Sequence, residues 1–273
     1  KVDTVEEFVY SSQTVYNTSQ AEGMYNKFMS AYNAIGALDT MTNVTKDGKN
    51  TFLMLSSNAT HEPMLMQKPD YTPSMKVDNT EYDVNNDELY TLNGKTLKMD
   101  TVDRVTLYHS NVATYKKLGE WFDYLREEGV YDNTKIILVA DHGGAMRQMD
   151  ELIHSEEYNV FKDVEGFYPM LMVKDFGATE FTESTEFMTN ADVPTLALKD
   201  TVKDAVNPFT NKKITNDAKK GKQYIITSHD WDITINNGKK FLPSYWATVE
   251  DNIWDKSNWS FIETATTDPT ELK

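Results

Sequence analysis

The sequence predicts an α/β fold in which a central, mainly parallel sheet is flanked by helices and followed by a small antiparallel C-terminal sheet. Three observations carry this expectation. Apolar runs at residues 51–56, 135–140 and 167–173 have the length and composition of strands buried on both faces. Between the first two lies a helical stretch in which Leu118, Trp121, Phe122 and Leu125 recur at i, i+3, i+4, i+7 spacing. Residues 223–235, followed by Asn236, Asn237 and Gly238, read as antiparallel strands joined by a turn.

Each element has its own justification. Residues 4–37 read as two helices: Thr4 and Glu7 fit a capping box, Met24, Phe28, Met29 and Tyr32 recur at helical spacing, and the polar stretch 17–23 breaks the run. Asp47-Gly48 marks a turn before the strand at 51–56, which delivers a polar loop carrying His61 and Pro63. Residues 64–105 are rich in Asp, Asn, Thr and Pro and read as a surface insertion over the site, with a short hairpin about Asn93-Gly94. Gly129 closes the long helix, and Asp132-Asn133 turns the chain into the strand at 135–140. Residues 145–154 include a short helix; Pro169 opens the next strand at a position an edge tolerates. Asp192 and Pro194 fit a helix cap and first turn. From residue 207 the character changes to a basic, turn-rich tract, so residues 1–206 are expected to form one α/β domain with 207–273 as its antiparallel C-terminal subregion.

The chemistry is concentrated where the run at 135–140 ends, in Asp141-His142-Gly143-Gly144. Ligands of open α/β sheets bind at the carboxyl ends of strands, and Gly-Gly lets the backbone turn there. A carboxylate and an imidazole on adjacent residues can both reach a divalent cation, and mixed O and N ligation suits zinc or manganese. Taken as residues alone, the tetrapeptide also fits a polar turn with no further task. His61 fits both a site histidine and a surface loop residue. Arg147 fits both an anion-binding guanidinium and a solvated helix-face charge.

The unit formed by the helix, Gly129-Val-Tyr-Asp-Asn-Thr134, the strand and Asp141-His142-Gly143 resembles the alkaline phosphatase superfamily, in particular its sulfatase-like branch with lipoteichoic acid synthases and phosphoethanolamine transferases. The resemblance implies that Asp141 and His142 ligate a divalent metal (Mn, Zn or Mg, or Ca in a sulfatase), and that His61, with His154 twelve residues beyond His142, contacts the substrate. The family's usual Glu after Asp-His-Gly is Gly144 here. Tyr71-Thr-Pro-Ser-Met-Lys76 imitates the Cys-x-Pro-x-Arg phrase of sulfatases but has no nucleophile and lies on the wrong side of the His61 loop. Ser11, Ser12 and Thr14 are not presented by any strand-to-helix elbow, so a partial domain lacking its N-terminal strand and nucleophile is expected. The chain itself is then expected to be inactive.

Composition narrows the partners. With 27 Lys and Arg against 43 Asp and Glu, the net charge of -16 opposes nucleic acid and anionic membrane surfaces. The absence of cysteine excludes disulfides, thiolate metal sites and a cysteine nucleophile. No run approaches the roughly 20 apolar residues of a membrane helix, and the opening Lys1-Val-Asp-Thr4 predicts an excised or processed chain. The resemblance places the parent protein on the extracytoplasmic face of a membrane, held only by an N-terminal anchor. Three functions follow: a phosphotransferase or hydrolase acting on phosphoglycerol or phosphoethanolamine-type esters of the cell envelope, a sulfatase, or a non-catalytic glycan- or polymer-binding module; Trp246, Trp254 and Trp259 fit aromatic packing first and a sugar-stacking face second.

Overall fold

The computed structural model describes residues 12–86, 90–92, 94–155, 162–199, 201–227 and 244–266. The chain divides into two compact units, Lys1–Thr134 and Lys135–Lys273. The fold class is α/β, with helices, antiparallel sheets and a small antiparallel sheet near the C-terminus. The central sheet does not follow the expected pattern: every strand pair among the described residues is antiparallel.

The first unit opens with strands β1 (Thr14–Val15) and β2 (Gln20–Glu22), where the sequence predicts helix. The reason is local. The Asn17 side-chain oxygen accepts the N–H groups of Ser19 and Gln20, at 2.7 and 2.8 Å, and this turn competes with helical pairing. β2 then pairs with β3 (Lys76–Asp78), burying Ala21 and Val77 together. The Thr4–Glu7 capping box lies outside the described residues. Helix α1 (Asn26–Gly36) carries Phe28 and Tyr32 into the core, and α2 (Leu38–Met41) follows. After β3 come α3 (Thr80–Asn85) and the hairpin β4 (Thr91–Leu92) and β5 (Lys95–Thr96), which turns at Gly94 as expected.

Helix α4 (Val102–Glu127) spans 26 residues and organises this unit. Thr101 caps it by accepting the Arg104 N–H, Asp103 and Arg126 complement the dipole at its two ends, and Gly129 leaves it at φ 71°. Of the predicted apolar stripe only Leu125 is buried; the deeper face lies earlier, at Val105, His109 and Ala113. Against it runs the segment 64–66, whose three side chains have no exposed surface. Met64 and Met66 pack with Phe28, Tyr32 and Ala113, whereas Leu65 packs with Ala21, Val77 and Val105. Its amides bond to side chains instead of a neighbouring strand: Met64 N–H to Ser110 Oγ (2.9 Å), Leu65 N–H to Gln13 Oε1 (2.8 Å) and Met66 N–H to His109 Nδ1 (3.0 Å). Part of the expected surface insertion is therefore core.

Residues 51–56 are the clearest departure. They form no strand, and Phe52, Leu53, Met54 and Leu55 are 76%, 60%, 82% and 53% exposed. A strand needs a ladder partner for its backbone groups, and none pairs with this segment among the described residues.

In the second unit, β6 (Ile136–Val139) pairs antiparallel with β7 (Leu171–Lys174), Ile136 opposite Lys174 and Val139 opposite Leu171. The connection holds short 3-10 turns at Asp150–Leu152 and Val164–Phe167 and no crossover helix among its described residues, and an antiparallel return requires none. Helix α5 (Val193–Leu198) opens with a proline in its first turn, as expected. Strands β8 (Gln223–Thr227), β9 (Ser244–Val249) and β10 (Trp259–Thr266) form the C-terminal sheet, with β9 in the middle. Ala247, Val249 and Trp259 pack with Leu152, Val164 and Phe167, the Phe167 and Trp259 rings stacking at 5.9 Å. Trp246 is also buried, while Trp254 is exposed and tilts against Tyr168 at 4.6 Å. The turn predicted at 236–238 lies outside the described residues.

Candidate metal-binding strand end

The β6–β7 ladder is extended by Ala140 N–H bonding to Met170 O at 3.0 Å, and Asp141 and His142 come directly after it. Gly143 N–H then bonds to Gly166 O at 3.1 Å, so the chain is passed from strand β7 to the 3-10 turn at Val164–Phe167. The approach is close enough to demand glycine. A Cβ on Gly143 would overlap the Glu165 carbonyl oxygen and lie 2.8 Å from the Tyr168 carbonyl oxygen.

This turn orients the imidazole. His142 Nδ1 lies 2.7 Å from Gly143 O; a carbonyl only accepts, so the contact selects the Nδ1–H tautomer of the neutral ring, in which Nε2 is the acceptor. A backbone carbonyl in this position is a common outer partner of metal-ligating histidines. His142 Nε2 and Asp141 Oδ2 are 3.7 Å apart, slightly wider than the roughly 3.3 Å that two donors subtend at a tetrahedral zinc. Their side chains are 68% and 90% exposed. The pair thus fits one edge of a divalent-metal site by donor type, tautomer and spacing. No group of three or more His, Asp or Glu suited to a metal occurs among the described residues.

The loop that follows Gly144 is held by two carboxylates with no local signal in the sequence. Asp163 and Glu165 are buried, and they hold residues 147–149 by their backbone amides: Asp163 Oδ2 accepts from Arg147 N–H at 2.7 Å, Glu165 Oε2 from Gln148 N–H at 3.1 Å and Glu165 Oε1 from Met149 N–H. Burial pushes the Glu165 carboxyl above the usual carboxylate range, against the pull of those amides. Asn190 Nδ2 donates to the carbonyl oxygens of Ala140 (3.1 Å) and Asp141 (2.9 Å). The sole signal for Asn190 was its place just before the Asp192–Pro194 helix start.

The remaining expected site residues are placed as follows. Arg147 is half-buried at φ 53°, and its Nη1 bonds to Ser155 O at 3.3 Å. His154 turns inward: its ring meets Phe261 edge-on at 5.0 Å and its Nε2 is buried without a hydrogen-bond partner. Burial, and secondarily Lys256, lowers its pKa. His61 belongs to the first unit, where its side chain is 78% exposed and its Nδ1 is 3.7 Å from Glu62. His229 and Asp230 lie outside the described residues. Tyr71, in the sulfatase-like decoy phrase, is buried against His109 at 5.0 Å, so it serves packing.

The family model described as Sulfatase matches residues 3–199, and the chain belongs to the sulfatase family, within the alkaline phosphatase superfamily. Domains of this family have sulfatase- or phosphoesterase-like functions and generally use a divalent metal. No curated protein and no solved structure matches the chain. Among the described residues no helix is long and apolar enough to cross a membrane.

Proposed function

We propose that this chain supplies the Asp141–His142 edge of a divalent-metal site in an extracytoplasmic phosphotransferase or phosphodiesterase of the lipoteichoic acid synthase and phosphoethanolamine transferase branch. The observation that supports it best is the His142 ring: with Nδ1 held by Gly143 O, Nε2 faces the same space as Asp141 Oδ2. A bound divalent cation would polarise the ester and activate a hydroxyl nucleophile. Asp141 and His142 would hold it, and the Gly143 turn would keep the imidazole in the ligating tautomer. The nucleophile and the remaining donors come from outside the described residues. His61, exposed on its loop, is proposed to donate to a substrate oxygen.

The test is hydrolysis by the protein as its gene encodes it, with Mn2+, of bis-p-nitrophenyl phosphate and p-nitrophenyl sulfate. The expected result is turnover of the phosphate diester, lost in Asp141→Ala. Preferential turnover of the sulfate ester would make the protein a sulfatase instead. Residues 1–273 alone are expected to turn over neither ester; robust hydrolysis by them would place the nucleophile within this chain.

A further inference from the structure

The geometry points to Asn190 as a positioning residue for the metal-ligating pair, an inference that rests on the metal role proposed for Asp141 and His142. Its carboxamide straddles the end of the strand. Nδ2 donates to the carbonyls of Ala140 and Asp141, the two peptide groups through which the backbone leaves the β6–β7 ladder and turns toward the ligands. The ladder itself closes with Ala140 N–H on Met170 O. Fixing both oxygens from one nitrogen fixes the plane of the Ala140–Asp141 and Asp141–His142 peptides, and so the direction in which each side chain departs.

Asn190 is itself held. It opens the 3-10 turn Asn190–Asp192, and the Asp192 carboxylate accepts the Thr189 N–H at 2.8 Å and the Thr189 hydroxyl at 3.3 Å. Lys219 Nζ reaches the other Asp192 oxygen at 3.1 Å; both side chains of this ion pair are largely buried. The turn continues into α5 through the proline in its first turn. The phrase Thr189-Asn-Ala-Asp-Val-Pro194 thus does more than start a helix. It carries a rigid amide to the strand end, and a ligand pair whose backbone is pinned loses less freedom when it closes on a cation.

The inference is tested by Mn2+ binding to the protein as its gene encodes it, followed by electron paramagnetic resonance, in the wild type and in Asp141→Ala, Asn190→Ala and Ile225→Ala. Ile225 packs in the C-terminal sheet core and touches neither carbonyl, so it reports what destabilisation alone does. The expected result is that Asp141→Ala abolishes binding, Asn190→Ala weakens it about tenfold, and Ile225→Ala lowers the thermal midpoint without changing affinity. Binding lost in Asp141→Ala but unchanged in Asn190→Ala would overturn the role of Asn190 and leave the metal site standing. Equal weakening in Asn190→Ala and Ile225→Ala would also overturn it, because loss of fold would then explain both. No Mn2+ binding by the wild type would overturn the metal reading itself.

Discussion

The Nδ1 of His142 sits 2.7 Å from the carbonyl oxygen of its own neighbour, Gly143, and that one contact decides which ring nitrogen is available to a cation. It depends on a backbone path that no side chain at residue 143 would permit. Gly143→Ala is therefore expected to cost several kcal/mol of stability in the second unit, on the order of the 1–3 kcal/mol typical of overpacking or above it. Gly144→Ala should be close to neutral, since its nearest neighbour is the flexible Met146 side chain at 3.3 Å. Urea denaturation of the two variants checks the contrast, and equal midpoints would refute it.

Glu165 holds two backbone amides of the loop that follows Gly144. Glu165→Ala leaves both N–H groups without their acceptor and should cost about 2 kcal/mol. Hydrogen exchange is the sharper measurement: the amides of Gln148 and Met149 should lose protection while those of β9 keep theirs.

In the first unit, Lys68 is buried with its Nζ 2.5 Å from Asp83 Oδ1 and 2.6 Å from the Tyr90 hydroxyl. Burial works against its charge, but the bonds to Asp83 and Tyr90 outweigh it and hold the ammonium pKa above the usual lysine value. Lys68→Ala removes one partner and leaves a carboxylate in poor surroundings, for an expected loss of about 3 kcal/mol. The double variant Lys68→Met, Asp83→Leu should recover much of that loss, and thermal unfolding of both proteins measures it.

His109 gives the first unit an acid limb. Burial, aided by the Lys68 charge, drives its pKa down to about 3, and Nδ1 stays free of a proton to accept from Met66. The unfolded chain protonates its histidine near pH 6.5, so below that pH it binds more protons than the folded one. The stability carried by neutral His109 is complete above pH 6.5 and is lost progressively as pH falls toward 3. About 2 kcal/mol should disappear between pH 7 and pH 5. His109→Gln should be less stable at pH 7 but flatter with pH; an unchanged slope would exclude His109 as the source.

What the sequence made legible follows from how local each cause is. The body and end of helix α4 were readable from the spacing of Leu118, Trp121, Phe122 and Leu125 and from Gly129, whereas its start at Val102 was read as part of the insertion. The Asp141–His142 strand end was readable because β6 stops where the apolar residues stop. Residues 51–56 satisfied the same apolar criterion and failed, because a strand also needs a neighbour that composition does not reveal. The β1–β2 hairpin was mistaken for helix because Asn17 competes for amides through its side chain, which hydrophobic spacing does not register. Asn190 reaches the strand end from 49 residues beyond Asp141, while Asp163 and Glu165, 22 and 24 residues beyond it, hold the loop at 147–149; nothing in their own neighbourhoods announces these contacts.

The exposed run Phe52-Leu53-Met54-Leu55 carries a consequence for handling the protein at high concentration. It is uncharged, apolar and exposed, with Lys46, Asp47 and Lys49 as the nearest preceding charges. Intermolecular cross-β stacking is expected to begin at this segment, so a Leu53→Lys variant should scatter less light on storage than its parent. Self-association would then be set by four residues that take no part in the chemistry at Asp141 and His142.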